Sequence, residues 1–261
     1  MNQTMKPKQV ESDIVPISRH TDARELATDA YEQLLGLLGQ LDEADWEAQT
    51  ECPEWTVADM VGHLIGAGRS YATLREFLRQ QLYGFRHRKD YGGKQMGAYK
   101  ALQIADPAHL TPEQRTAAIR QVAPKSVAFR MRFAPMMSLI NAPVDQTGST
   151  ASGMPKRENG GHLVEVVITR DVWLHTIDIS RAVGRELDVS APVNARIIED
   201  VVAEWAGRHG QPFELQLTGA AGGHFTQGAG GERVKMDAVE FARTLSGREP
   251  ADGLLATRVL F

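Results

Sequence analysis

The sequence predicts an α+β protein in which a four-helix bundle comes first and a smaller α/β layer follows. Between residues 21 and 183, apolar side chains recur at intervals of three and four in four separate stretches, the period of a helix with one buried face. After Asp188 the pattern shortens to alternation bounded by glycines, the period of strands. A chain of 261 residues is also near the size at which one core divides into two. These observations place a helical domain over 19–187 and a second domain over 188–261.

The first 18 or so residues, rich in Asn, Gln, Lys, Ser and Pro, read as a loose tail. Leu26, Ala27, Ala30, Tyr31, Leu34, Leu35 and Leu38 then define a first helix ended by Gly39. Asp45 to Pro53 reads as a connecting loop, and Thr56 with Asp59 three residues on suggests a capping box. The second helix should carry Val57, Met60, Val61, Leu64, Ile65, Tyr71, Leu74, Phe77, Leu78 and Leu82 on one broad apolar face, with Gly84 just beyond it. Gly92, Gly93 and Gly97 mark an excursion before the next element. Thr111, Pro112 and Glu113 supply an N-cap, a first-turn proline and an early acid for a third helix running toward Ile140, which Pro124 and Pro135 should break or kink. Asn141 to Gly161 reads as a mobile loop, and the fourth helix runs from about His162 to Val183, closed by Gly184. In the second domain a helix from about Pro192 to His209 leads into strands at 213–218, 224–227 and 233–236, and Asp237 caps a last short helix through Leu245.

With 29 basic against 33 acidic residues and a net charge of −4, the chain has no basic surplus for a nucleic-acid backbone, although Arg86, His87, Arg88 and Lys89 form a local patch. Its single cysteine, Cys52, excludes an intramolecular disulfide framework and fits a reducing cytoplasm. No stretch approaches the ~18 apolar residues needed to span a bilayer, and the first residues carry no apolar export segment. The expectation is a soluble cytoplasmic protein that binds neither nucleic acid nor membrane, as monomer or homodimer.

Asp171 and His175 lie four apart on the fourth helix, so both project from one face and can hold one ion. The spacing is weak evidence by itself, because Asp59 with His63 and Glu158 with His162 share it. Asp59 already has a role in the capping box, and the Asn159, Gly160, Gly161 run suggests that Glu158 and His162 straddle a loop. His63 sits on an apolar helix face beside the small residues Gly62 and Gly66, which leave room for a ligand or a close helix. A satisfied core histidine is the commoner reading of such a position.

The run Cys52, Pro53, Glu54, Trp55, Thr56, Val57, Ala58, Asp59, Met60, Val61, Gly62, His63, Leu64 resembles the N-terminal motif of the mycothiol-dependent maleylpyruvate isomerase family, a branch of the DinB-like metal-binding bundles. Glu54 stands where that family usually has glycine. A second segment, Asp171 to Ile179 followed by Ala182 and Gly184, is similar to the family's acid-x3-His-x2-Asp-Ile pattern, with Asp in place of the usual Glu. The tail from Asp237 to Arg248 resembles the end of the family's C-terminal, sterol-carrier-like domain.

This resemblance implies that His63, Asp171 and His175 ligate a divalent cation, zinc first, with nickel, iron or manganese as other occupants. It also implies that the open coordination positions receive the thiol of mycothiol, an actinobacterial cofactor. Asp178, three residues after His175, is a candidate to fix the tautomer of a ligand imidazole, with an ion pair to Arg181 or Arg185 as the alternative. Trp46 and Trp55 read as core or loop anchors rather than substrate platforms, and Cys52 as structural rather than nucleophilic. Arg248, in the Ser246, Gly247, Arg248 turn, is a candidate for binding a carboxylate of cofactor or substrate; Arg243 is its rival, and a solvated surface arginine is the alternative for both.

The leading expectation is therefore a metal-dependent enzyme that uses mycothiol to transfer a thiol to, or isomerise, a small electrophile. Two alternatives stand beside it: a non-catalytic binder of a small molecule or thiol conjugate, and a metal-dependent hydrolase. The loops at 84–97 and 141–161 are expected to shape the pocket mouth.

Overall fold

The computed structural model describes residues 7–144 and 154–261. In chain order its elements are β1 (Lys8–Gln9), α1 (Val10–Asp13), α2 (Ala23–Leu38), α3 (Val57–Ser70), α4 (Leu74–His87), α5 (Gln95–Ala105) and α6 (Pro112–Met137). They continue with β2 (Asn141–Pro143), β3 (Arg157–Asn159), α7 (Gly160–His162), α8 (Ile168–Ala182), α9 (Pro192–His209), β4 (Phe213–Thr218), β5 (Gly223–Gln227), β6 (Glu232–Asp237) and α10 (Ala238–Ser246). The fold is α+β, a helical bundle with a C-terminal sheet. Among the described residues the chain divides into two compact units, one of 19–144 with 158–187 and the other of 7–18, 154–157 and 188–261.

In the helical unit α2, α3, α6 and α8 pack on one another, and α4 with α5 forms a hairpin against α3. The start of α3 is set by the expected capping box. The Asp59 N–H donates to Thr56 Oγ1 at 3.2 Å and the Thr56 N–H donates to the Asp59 carboxylate at 3.0 Å. Arg115 ties the same end of α3 to α6 by donating to the Ala58 carbonyl at 2.9 Å.

The long second helix expected from the apolar pattern is instead two helices. The chain turns at Tyr71–Thr73, where Thr73 caps α4 by accepting from the Glu76 N–H at 3.2 Å. The apolar face does not run through as one either: Leu74, Leu78 and Leu82 are exposed, and Gly84 lies inside α4. Helix α5, which the sequence pattern did not reveal, crosses α3 at Gly66. A Cβ on Gly66 would stand 2.5 Å from Gln103 Cβ, so only glycine permits the approach. Gln103 donates to Gln80 at 2.8 Å and Gln80 to the Gly66 carbonyl at 2.9 Å, which links the three helices.

Helix α6 is continuous through Pro124 and Pro135, so neither proline ends it. The loop expected over 141–161 holds β2 and β3 at its ends, paired as a two-stranded ribbon, and its middle, 145–153, lies outside the described residues. The expected fourth helix is three segments in one: α7, a π-helical turn over Leu163–Val167, and α8.

In the second unit the sheet order is β1-β5-β4-β6, with β4 antiparallel to β5 and parallel to β6. The expected loose tail is in fact structured from Lys8. Lys8 and Gln9 pair in parallel with Phe225 and Thr226, and Val10, Ile14 and Ile17 are buried. The apolar residues that drive this are spaced too widely to show a period. Residues 1–6 of that tail lie outside the described residues. The core centres on Trp205 of α9, packed on Phe213 and Phe241, with its indole N–H donating to the Leu254 carbonyl at 2.9 Å.

Candidate metal centre

Two helices of the bundle bring His63, Asp171 and His175 together. The capping box fixes where α3 begins, which puts His63 in its second turn with 3% of its surface exposed. Asp171 and His175 occupy successive turns of α8, with His175 7% exposed. Their ligand atoms all lie within 4.8 Å of one another. One Asp171 oxygen is 3.6 Å from His63 Nε2 and the other is 3.5 Å from His175 Nε2. A tetrahedral ion with bonds of ~2.0–2.1 Å separates two ligand atoms by roughly 3.3 Å, so these donors already stand near the edges of a coordination sphere.

The donor set fits a cation on two further counts. Both ring nitrogens of His63 are buried with no hydrogen-bond partner, a costly condition for a side chain with no other use. His175 Nδ1 lies 2.9 Å from an Asp178 carboxylate oxygen, so Nδ1 carries a proton for that acceptor and Nε2 is the nitrogen turned to the site.

Electrostatics follow from the packing. Burial lowers the His63 pKa, with Asp171 opposing, so the ring is held neutral. Burial also acts on His175, but Asp171 and Asp178 outweigh it and the pKa is raised. For Asp171 burial is again the largest single influence and works upward, yet His175 and His63 together hold the carboxyl well below the usual range.

Residues 27–180 match the family model of the mycothiol maleylpyruvate isomerase N-terminal domain. The chain belongs to that family. Its fold is similar to the crystal structure of the mycothiol-dependent maleylpyruvate isomerase, with a TM-score of 0.52 and 15% identity over 89% of this chain and 92% of that one. A histidine-to-alanine mutant of the same enzyme matches with the same values. No curated protein matches the chain.

The family match spans all three converging residues and Asp178. Arg181 and Arg185, the other partners weighed for Asp178, bond Glu51 and the Asp42–Asp45 pair respectively. Arg243 is not a surface residue. It is 1% exposed, in α10, and donates to Glu240 at 3.1 Å and Glu249 at 3.0 Å, within the sheet-containing unit. Arg248, in the same unit, donates to Ser246 Oγ at 3.0 Å. Cys52 is half-buried in the turn before α3, its backbone carbonyl accepting from the Trp55 N–H. Trp46 is buried, as a core anchor should be.

Three features of the site escaped the sequence reading. The Trp55 ring lies 5.1 Å from His63 and 6.0 Å from His175, so this half-buried indole covers both imidazoles. The motif position beside Thr56 was the available signal. Tyr71 ends α3 close to both Asp171 and Arg130, and burial pushes its phenol up to about 12. Arg130 of α6 is wholly buried, and Asp171 is among the charges it faces. An arginine in an amphipathic helix gives no sequence signal that it points inward.

Proposed function

We propose that this protein is a metal-dependent enzyme that uses mycothiol to transfer a thiol to, or isomerise, a small electrophilic substrate. The convergence of His63, Asp171 and His175 carries the reading, because three protein donors with two imidazoles leave coordination positions open to a ligand. A divalent cation, when bound there, stabilises a thiolate at neutral pH and keeps it beside the electrophile. The two Nε2 atoms and the Asp171 carboxylate would hold the ion. Asp178 keeps the His175 proton on Nδ1, and the Trp55 ring screens both imidazoles from water. We take zinc as the resident metal, from its preference for imidazole and carboxylate donors at low coordination number.

Two measurements test the reading together. Purified protein should carry about one equivalent of metal and His63→Ala should lose it. A bimane electrophile should then be consumed only when mycothiol is supplied. Metal retention by the variant removes the proposed site. Metal binding with thiol-independent turnover would make the protein a hydrolase, and metal binding with no turnover would make it a binder.

A further inference from the structure

Arg130 presents a guanidinium with 0% exposure in the middle of the bundle. One nitrogen, Nη1, donates to the Val164 carbonyl at 3.3 Å and to Thr169 Oγ1 at 3.2 Å. The other two, Nε and Nη2, are buried with no hydrogen-bond partner. A guanidinium stays charged at every accessible pH, so this is a buried charge with an unmatched donor edge, a condition that a purely structural role does not require. Joining α6 to α8 uses Nη1 alone. The nearby Asp171 is engaged with the two histidines, and Tyr31 and Tyr71, which also face Arg130, are neutral phenols.

Geometry narrows what belongs there. Nε and Nη2 form the side-on fork of arginine, whose two parallel N–H groups match the two oxygens of a carboxylate. The carbonyl that anchors the other side of the guanidinium belongs to the π-helical turn at Leu163–Val167, and such turns cluster at functional sites. A cleft of about 340 Å³ is lined by Tyr71 and Val164, both neighbours of Arg130, together with Phe77, Lys94, Met96, Tyr99 and Met137; Arg130 itself is not part of its wall. Its dimensions suit a small molecule, and the buried, low-dielectric surroundings of Arg130 strengthen a charge pairing at the guanidinium.

We propose that the Nε–Nη2 edge of Arg130 is a carboxylate-binding subsite inside the bundle, which anchors an electrophilic substrate by its carboxylate while the reacting carbon lies toward His63, Asp171 and His175. This deepens the enzymatic reading above and rests on it for the reaction, though not for the binding.

The binding is tested on the whole ¹⁵N-labelled protein. The Arg130 Nε–H resonance, assigned by its loss in Arg130→Lys, should shift downfield and saturate on titration with acetate or succinate, and should not respond to equal chloride. Arg130→Lys, which keeps the charge but removes the fork, should bind the carboxylates at least tenfold more weakly while holding its full metal content. A resonance that ignores the carboxylates, or that moves equally with chloride, overturns the proposal. For substrate anchoring, 4-chloro-3-nitrobenzoate is compared with its neutral amide as thiol acceptor. Arg130→Lys should raise KM for the acid by tenfold or more and leave both the amide and kcat within a few-fold. Equal effects on acid and amide would also overturn it. Carboxylate binding at Arg130 without any thiol-dependent turnover would sink the enzymatic reading alone.

Discussion

Nδ1 of His175 stands 2.9 Å from a carboxylate oxygen of Asp178, a side chain with 0% exposure one turn further along α8. A carboxylate can only accept, so the pair keeps a proton on His175 Nδ1 and turns Nε2 toward Asp171 and His63. His63 has no comparable brace among the described residues, since its Nδ1 finds no partner. The two histidines are therefore unequal: one is oriented by a hydrogen bond, the other by packing under Trp55.

Asp178→Asn keeps the size of the side chain and offers His175 Nδ1 an amide in place of a carboxylate. Loss of such a brace costs about 10–100-fold in metal affinity. A zinc competition titration should show that loss with the fold retained by circular dichroism. Unchanged affinity would mean that packing alone orients His175.

The raised His175 pKa and the lowered Asp171 and His63 pKa values give opposite pH trends to the metal-free and metal-loaded protein. In the metal-free protein the His175 contribution to stability is present below about 6.5, the ordinary imidazole value, and is lost as pH rises through its raised folded value. The Asp171 contribution is lost only in acid, as pH falls through its depressed value. Metal binding must expel the His175 proton, so affinity falls as pH drops below that raised value. The gain in Tm from added zinc should thus widen between about pH 6 and about pH 8, as a thermal shift series would show.

How much of this was legible in the sequence depends on how far each signal is local. The capping box at Thr56 and Asp59, the Asp171–His175 spacing and the Asp237 cap are read within four residues, and the structure has each in place. The split between α3 and α4 was hidden because Tyr71 and Leu74 continue the apolar period across the turn. Helix α5 was hidden by Gly97 and by a polar face whose work, the Gln80–Gln103 link, is tertiary. Lys8 and Gln9 form a strand only because β5 offers them an edge. Nothing near Arg130 in the sequence says that its guanidinium turns inward.

Asp171→Glu would restore the acid usual in the family, and it should nonetheless weaken the site. Both Asp171 oxygens already stand 3.5–3.6 Å from the facing nitrogens, close to a coordination edge. One more methylene carries the carboxylate past that position unless α8 retreats. Zinc affinity should fall by about tenfold, or roughly 1.4 kcal/mol, in the same competition titration; a gain would show that α8 is held too far from α3 by the shorter acid.

Gly66→Ala tests the crossing of α3 and α5. The added carbon would meet Gln103 Cβ at 2.5 Å and its Cα at 2.6 Å, and backbone cannot swing aside as a side-chain tip can. Overpacking of this kind costs about 1–3 kcal/mol, which for a domain of this size lowers Tm by roughly 2–4 °C per kcal/mol. Gly36→Ala is the control, because a Cβ there meets nothing within 4 Å.

Arg130→Met removes the buried charge while filling much the same volume. If the guanidinium were structural, its loss should destabilise the bundle, because α6 would lose its links to Val164 in the π-helical turn and Thr169 in α8. Two guanidinium nitrogens without a partner argue the reverse. Replacing a poorly compensated buried ion with a well-packed apolar side chain is neutral or stabilising by about 1–4 kcal/mol, so the variant should melt no lower than the parent and commonly a few degrees higher. The same variant should lose the response to carboxylates. A protein that is made more stable by deleting a residue, yet is less able to bind, keeps that residue for binding; a clear drop in Tm would assign Arg130 to the fold instead.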